Sequence, residues 1–450
     1  MNGGIKMATK VLLVGGCARE HAMARALVEG GAQLYAVLKN KNPGIMRLAK
    51  DCLFVSETDV EKVTRYAKTR GVGLAVVGPE APLEAGLTDA LEVEGIRCAS
   101  PSENAARLET SKEFMRSLMA RNHLPGRIEH WVFREVSEVA MFLNGYDGPV
   151  AVKPVGLTGG KGVKMSGDQL KSKADAIAYA SEVLDKKIGG SARVVVEEKV
   201  EGEEFTLQAF CDGTTLTPMP AVQDHKRAFE GDVGPNTGGM GSYSQQDHIL
   251  PFLKKEEYDQ SVYILQKVVD VLRRDGCPFK GPIYGQFMLT ADGPRVIEFN
   301  ARFGDPESMN VLSLLDSSFL DACERMASGG NGVKATFARK ATVCKYVVPV
   351  GYGVESHAGS PLSVDEDAIE KEGARLYFAA VNVAEDGRVL TTSSRALGIV
   401  GIADTIAEAE KNCEAALSHV KGEYFVRHDI GRPEALRKKV EHMDKIRGRK

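Results

Sequence analysis

No Cys-x-x-Cys pair occurs among the eight cysteines, which stand alone at positions 17, 52, 98, 211, 277, 323, 344 and 413. Zinc ribbons and dithiol redox centres need such pairs, so both drop out and the thiols read as reduced, cytoplasmic ones. No apolar run approaches the roughly 18 residues that mark a membrane-spanning helix. The opening Met1-Asn2-Gly3-Gly4-Ile5-Lys6-Met7 lacks the apolar core of a secretory signal and reads as a short disordered extension. A surplus of one charge is also missing: 58 Lys plus Arg face 61 Asp plus Glu, a net charge of −3. Nucleic-acid binders usually carry a basic surplus, so neither a nucleic-acid nor a membrane partner is expected. Internal repeats and low-complexity stretches are absent as well. What remains is an ordinary globular composition over 450 residues, enough for about three domains with cores of their own.

Residues 10–15 read as a buried strand running into a glycine turn, 19–29 as a helix, 33–38 as a second strand and 73–77 as a third. Alternating strands and helices predict a parallel, doubly wound sheet that binds ligands at the carboxyl ends of its strands. Gly15-Gly16 and Gly78-Pro79-Glu80 then share one edge. The dinucleotide fingerprint is not there. The first turn reads Gly15-Gly16-Cys17-Ala18-Arg19-Glu20 in place of Gly-x-Gly-x-x-Gly. The second strand ends in Leu38-Lys39-Asn40, with no acidic residue for a ribose. After Pro101-Ser102, helical segments over 103–122 lead to strand-like runs near 149–153, 193–198, 205–211, 283–290 and 295–299. Gly329-Gly330-Asn331-Gly332 reads as a linker. A last unit over 340–430 shows strands near 341–348, 375–383 and 395–402 and a helix near 405–420. The basic run 437–450 reads as an exposed helical tail.

Four segments carry candidate chemistry. Over 150–163 a strand delivers Lys153, followed by a loop containing Gly156, Gly159, Gly160, Lys161 and Gly162. Glycines let backbone N–H groups approach phosphate oxygens closely. A Walker A loop would need glycine at Val155 and a hydroxyl at Gly162, so this is another kind of loop, equally readable alone as a flexible hairpin. Over 194–204 an apolar strand runs into Glu197, Glu198, Glu201, Glu203 and Glu204. Hinge carbonyls suit an adenine amino group and a carboxylate suits a ribose diol; alone, the segment reads better as a charge-protected edge strand. Over 294–307, period-two alternation puts Glu298 and Asn300 on one strand face. Two such oxygens suit Mg²⁺, which takes few protein ligands plus phosphates; Gln286 on the preceding run could add a third. Arg302 follows on the same side, placed to hold a transferring phosphoryl group. The last segment is Gln223-Asp224-His225-Lys226-Arg227, followed by Gly234-Pro235-Asn236-Thr237-Gly238-Gly239-Met240-Gly241. It offers dense polar contacts and a backbone cradle for an anion. His225 alone reads as a surface-loop histidine.

In this order, these strings resemble the ATP-grasp superfamily. With Arg19-Glu20-His21-Ala22, Gly78-Pro79-Glu80-Ala81-Pro82-Leu83 and Glu298 through Glu307, they are similar to its phosphoribosylamine–glycine ligase family, over roughly residues 10–430. The resemblance implies an α/β protein with an N-terminal doubly wound domain (8–108), a two-lobed ATP-grasp domain (109–335, inserted lobe about 124–195) and a small C-terminal α/β domain (336–450). It also implies a reaction: ATP, glycine and 5-phosphoribosylamine give glycinamide ribonucleotide, ADP and phosphate, through a glycyl phosphate, early in purine biosynthesis. Small molecules would be the partners, with monomer and homodimer both open.

Carried over residue by residue, Lys112 and Lys153 would contact the nucleotide phosphates, under a lid of Gly159, Gly160, Lys161 and Gly162. Glu197, Glu198 and Val200 would form the adenine hinge, with Glu204 on the ribose. Glu298 and Asn300, with Gln286 as a weaker third, would hold Mg²⁺ or Mn²⁺. Arg302 would stabilise the transferred phosphoryl. Glu80 would meet the ribose of phosphoribosylamine, Asp305 its amine and Arg395 its 5-phosphate. Asp224 and Lys226 would contact glycine or phosphate. The first turn, the lid loop and the Lys39-Asn40-Lys41-Asn42-Pro43-Gly44 loop depart from the common family strings, as a divergent branch would. Two rivals stand beside this reading: an ATP-grasp enzyme with another acid or amine, and a nucleotide-binding module without catalysis.

Overall fold

Four consecutive apolar residues, Val11 to Val14, are all fully buried, as a strand covered by helices on both faces requires. In the computed structural model, which describes residues 8–158 and 162–448, they belong to β1. The expected extension over 1–7 and the lid residues Gly159, Gly160 and Lys161 lie outside the described residues. β1 (Lys10–Val14), β2 (Gln33–Leu38), β3 (Asp51–Phe54), β4 (Leu74–Val77) and β5 (Arg97–Cys98) form one parallel sheet in the order β3-β2-β1-β4-β5. The strand order reverses between β1 and β4, and the crevice outside their carboxyl ends is where such sheets bind ligands. The run near 73–77 is thus the fourth strand and not the third. Asp51–Phe54 comes before it, a four-residue edge strand with no fully buried side chain, too short and too wet to stand out as an apolar run.

Gly15 and Gly78 leave β1 and β4 at that crevice. A Cβ at either position would collide with the Glu20 side chain, and Gly15 has φ +118°, so the two glycines make room for this carboxylate. Glu20 caps the helix Ala18–Glu29: its Oε2 accepts from the Cys17 N–H at 2.9 Å and its Oε1 from Arg19 Nε at 2.6 Å. Arg19 is thereby fixed at the mouth of the crevice.

The helices Glu103–Thr110 and Lys112–Arg121 lead into a lobe with its own core. There β6 (His130–Phe133), β7 (Val150–Pro154), β8 (Lys164–Met165) and β9 (Val194–Glu198) form an antiparallel sheet in the order β6-β9-β7-β8. β10 (Glu203–Asp212), β11 (Leu216–Pro218), β12 (Gln223–Asp224), β13 (Arg227–Phe229), β14 (Val233–Asn236), β15 (Gly241–Ser244), β16 (Lys280–Thr290) and β17 (Gly293–Asn300) follow. The sheet β11-β10-β16-β17 faces the lobe across a cleft. The helix Lys255–Arg274 backs it, burying Ile264, Leu265, Val268 and Leu272 at the spacing of one helical face.

The last part of the chain does not stand apart. β18 (Ala341–Val347), β19 (Pro361–Val364), β20 (Ala374–Phe378), β21 (Val381–Val383), β22 (Val389–Thr391), β23 (Leu397–Ala403) and β24 (Val420–Gly422) complete the strands. One sheet runs β12-β15-β18-β23-β20, with Gly241 opposite Lys345, so the glycine-rich 234–241 segment is clamped to the C-terminal part. The run 375–383 is two strands, because the chain leaves one sheet at Ala379 and joins a second, β21-β22-β19-β24.

The basic run is a correction. It is helical, Pro433–Gly448, but it is docked and not a free tail. Met443 and Ile446 are buried. Arg447 Nη2 reaches Glu257 at 2.7 Å and the Phe252 carbonyl at 2.8 Å, and His442 Nδ1 lies 2.6 Å from Glu203. Removing residues 433–450 should therefore cost about 3–6 kcal/mol, from two buried apolar side chains at roughly 1.5–3 kcal/mol each. A lowered urea midpoint would register this; an unchanged midpoint would mean that the helix contributes nothing.

Candidate active site

A cleft of about 740 Å³ lies where the parallel sheet, the lobe and the second sheet meet. Lys153, on the central part of β7, enters it from the lobe side. Its ammonium stands 2.6 Å from Glu197 Oε2, and Glu197 is held bidentately by Arg116 at 2.7 and 2.8 Å. Arg116 also donates to the Val296 and Ile297 carbonyls, both at 2.8 Å. Burial pushes the Glu197 carboxyl up, but Arg116 and Lys153 outweigh this and bring it down to about 2. The Glu197 side chain is spent inside the protein, aiming Lys153. Glu198, Lys199 and Val200 follow it along the wall of the cleft.

Lys112 starts its helix below the glycine loop. Its N–H donates to the Val155 carbonyl at 2.9 Å and its Nζ to the Gly156 carbonyl at 3.0 Å. Gly156 is required sterically, since a Cβ there would collide with the Gly189 carbonyl. On the far side of the loop, Tyr179 donates to the Gly162 carbonyl at 2.8 Å.

On the floor of the cleft, Gln286 of β16 pairs with Glu298 of β17, and Asn300 lies two residues further on the same face. Glu298 makes no hydrogen bond or ion pair with any described residue, although it is half-buried. Oriented as its neighbours require, the Asn300 amide sets its nitrogen 2.9 Å from Glu109 and 3.3 Å from the Phe299 carbonyl, which turns its oxygen away from that carboxylate. Gln286 differs: its oxygen accepts from the Tyr284 hydroxyl at 2.6 Å and its nitrogen donates to Glu204 at 2.7 Å. Among the described residues no group of three or more His, Cys, Asp or Glu forms a metal cage. Mg²⁺ needs none, because it keeps waters and takes one or two protein oxygens plus substrate phosphates. A carboxylate without a partner among the described residues, beside an amide oxygen, is such a donor set.

Glu204 accepts from Lys226 at 3.0 Å as well as from Gln286. Burial raises its pKa, but the Lys226 charge prevails and lowers it; Lys226 is correspondingly raised by Glu204 and Asp224 against the effect of burial. Asp224 goes the other way: burial, with Glu307 and Glu204 nearby, lifts it to about 7 despite Lys226, and its Oδ1 has no partner. His225 is no surface residue. It is buried just beyond β12, with Nδ1 3.2 Å from Asp232 and its N–H donating to the Gly241 carbonyl at 2.9 Å.

Arg302 joins the floor to the parallel sheet. Its Nη2 lies 2.8 Å from Glu109, and its Nε 3.3 Å from Glu80, without the alignment of a hydrogen bond. Burial works against ionisation of Glu80, yet Arg302 and Arg19 hold its pKa below the ordinary value. Asp305 accepts from Arg395 at 3.1 Å and from the Tyr346 hydroxyl. Arg395 also donates through Nη1 to the carbonyls of Gly238, Gly239 and Asp305. His21 serves the fold: burial lowers its pKa to about 3, and its neutral Nδ1 accepts from the Phe378 N–H at 2.9 Å.

Models of phosphoribosylglycinamide synthetase match the chain in three parts: the N domain over 9–109, the ATP-grasp (A) domain over 110–308 and the C domain over 342–433. The chain belongs to this family. A phosphoribosylamine–glycine ligase of Methanothermobacter thermautotrophicus is 52% identical over 97% of this chain and 100% of its own length. One from Pyrococcus horikoshii is 48% identical over 97% and 98%. The crystal structure of the Thermotoga maritima ligase aligns over 94% of this chain and 100% of its own, with a TM-score of 0.79 at 24% identity. A biotin carboxylase domain of Hydrogenobacter thermophilus, solved with MgADP and bicarbonate, aligns over 98% and 94% with a TM-score of 0.73 at 15% identity. As a member of the synthetase family the chain is an ATP-grasp ligase of purine biosynthesis. ATP-grasp ligases use ATP with a divalent metal.

Sequence reasoning missed two residues that line this synthetase cleft, Asp232 and Lys439, and two that hold its lining residues from behind, Glu109 and Arg116. Arg116 and Glu109 sit in helices whose spacing shows only an apolar face. Lys439 lines the cleft, 3.2 Å from both Glu203 and Asp232, and was hidden within the basic run.

Proposed function

We propose that this ligase joins glycine to 5-phosphoribosylamine, giving glycinamide ribonucleotide, ADP and phosphate, through a glycyl phosphate formed in the cleft. The observation that carries the reading is the floor of the cleft. Glu298, its side chain without a partner among the described residues, the Asn300 oxygen and Arg302 stand together, and Lys153 lies at the lobe side of the same space. A glycine carboxylate is a poor acyl donor until one oxygen becomes a leaving group, and transfer of the γ-phosphoryl supplies that. No protein nucleophile is needed; positioning and charge stabilisation do the work. A Mg²⁺ or Mn²⁺ held by Glu298 and Asn300 would neutralise phosphate charge. Glu198 to Val200 would hold the adenine, and Glu204 the ribose. Lys153 and Lys112 would hold the phosphates, and Arg302 the phosphoryl in flight. The 156–162 loop would cover them and keep water from the acyl phosphate. Arg19, Glu80, Asp305 and the 234–241 segment would take phosphoribosylamine. Arg395 would meet its 5-phosphate. Asp224 and Lys226 would orient glycine. Eight unpaired cysteines suit a reducing compartment, and we place the enzyme in the cytoplasm.

The test is ADP release by the purified protein with Mg²⁺ and ATP, phosphoribosylamine being generated in situ and glycine added or withheld. ADP should appear only with both substrates, and glycinamide ribonucleotide with it. ADP release supported by a different acid alone would overturn the substrate assignment and leave the fold untouched.

A further inference from the structure

Glu109 is a buried carboxylate that no step above uses. It ends the helix Glu103–Thr110, and its side chain is 4% exposed. Its Oε2 accepts from the Ala301 N–H at 2.7 Å; its Oε1 forms an ion pair with Arg302 Nη2 at 2.8 Å and, with the Asn300 amide turned as its neighbours require, meets the amide nitrogen at 2.9 Å. One carboxylate thus grips three consecutive residues, 300 to 302, where β17 ends in the cleft. An isolated buried carboxylate is costly, and the Arg302 charge and the Ala301 N–H reduce that cost without cancelling it. The grip has a chemical consequence. A primary amide carries its oxygen opposite its nitrogen, so fixing the Asn300 nitrogen on Glu109 commits the oxygen to the other side. The same oxygen atom of Glu109 keeps the Arg302 guanidinium beside Glu80.

We propose that Glu109 is a positioning residue: it orients the Asn300 amide for a divalent cation and the Arg302 guanidinium for the phosphoryl group. The proposal rests on the cation site assigned above to Glu298 and Asn300. A glutamine at 109 would keep one acceptor for Ala301 but offer an NH₂ to Asn300. The Asn300 amide would turn over and present nitrogen to the cleft.

The test titrates Mn²⁺ into the full-length protein with ADP and follows the free-Mn²⁺ electron spin resonance signal. Glu109→Gln should weaken Mn²⁺ binding roughly 10–100-fold, the usual cost of losing a partner that orients a metal ligand. Adding Asn300→Asp to Glu109→Gln should restore it, because a carboxylate presents oxygen whichever way it turns. Glu109→Asp, which keeps the charge, should fall between wild type and Glu109→Gln, and serves if Glu109→Gln does not fold. Wild-type Mn²⁺ affinity in a folded Glu109→Gln variant, or in Glu109→Asp alongside a lowered melting temperature, would overturn the proposal and leave the cation site standing. Failure of the wild-type protein to bind Mn²⁺ with ADP would overturn the cation site itself, and the role of Glu109 with it.

Discussion

Replacing Glu298 by alanine is expected to cut ADP formation by about a thousandfold or more, on the order of 4 kcal/mol of lost transition-state stabilisation. The fold should not notice. Glu298 is half-buried and makes no hydrogen bond or ion pair with any described residue, so its removal orphans nothing. Substitutions of that kind usually move stability by no more than about 0.5 kcal/mol. What is lost is charge: Glu298 pulls electrostatically on Lys112 and Lys226, so it is the negative counterpart of the cations around the phosphates. Asn300→Ala makes the contrast. It removes a candidate ligand and also one of the donors on buried Glu109, so activity and stability should fall together. A coupled ADP assay and a thermal melt on both variants separate the two cases. Undiminished turnover in Glu298→Ala would remove this residue from the reaction.

The floor of the cleft was legible in the sequence because strand alternation is strict. Glu298 and Asn300 had to share a face whatever the surroundings, and the structure keeps them there. The parallel sheet was legible for a similar reason: its buried strands read as continuous apolar runs. Asp51–Phe54 was not, being short and half exposed at the sheet edge. The docking of 433–448 escaped notice because two apolar residues in a basic run carry little periodic signal, and its partners, Glu203, Glu257 and Asp232, lie some two hundred residues away. The same holds for His225: its string was conspicuous, but its burial comes with Asp232 and the Gly241 carbonyl, further along the chain. Side chains that act through another side chain are the hardest to read. Glu197 looked like part of a charged edge, whereas three charges from separate elements meet there.

That triad should dominate the acid stability of the lobe and its junction. Arg116, Glu197 and Lys153 are almost wholly buried, with side-chain exposures of 1%, 2% and 7%. Breaking such a group from one side leaves uncompensated charge, so Glu197→Ala should destabilise by about 3–5 kcal/mol. The sign with pH is fixed by the folded-state carboxyl lying at about 2, below its ordinary 4.5. Its contribution is complete above about pH 4.5 and drains away as pH falls toward 2, because the unfolded chain binds the proton first. At about 1.4 kcal/mol per pH unit the loss totals roughly 3 kcal/mol. Urea midpoints for the wild-type protein and Glu197→Gln should therefore differ widely at pH 7 and draw closer at pH 3. A gap that stays constant between those values would mean that the carboxylate charge is not what the neighbouring cations require. Function should follow, since Glu197 is what aims the Lys153 ammonium into the cleft: in Glu197→Gln the KM for ATP should rise more steeply than the KM for glycine.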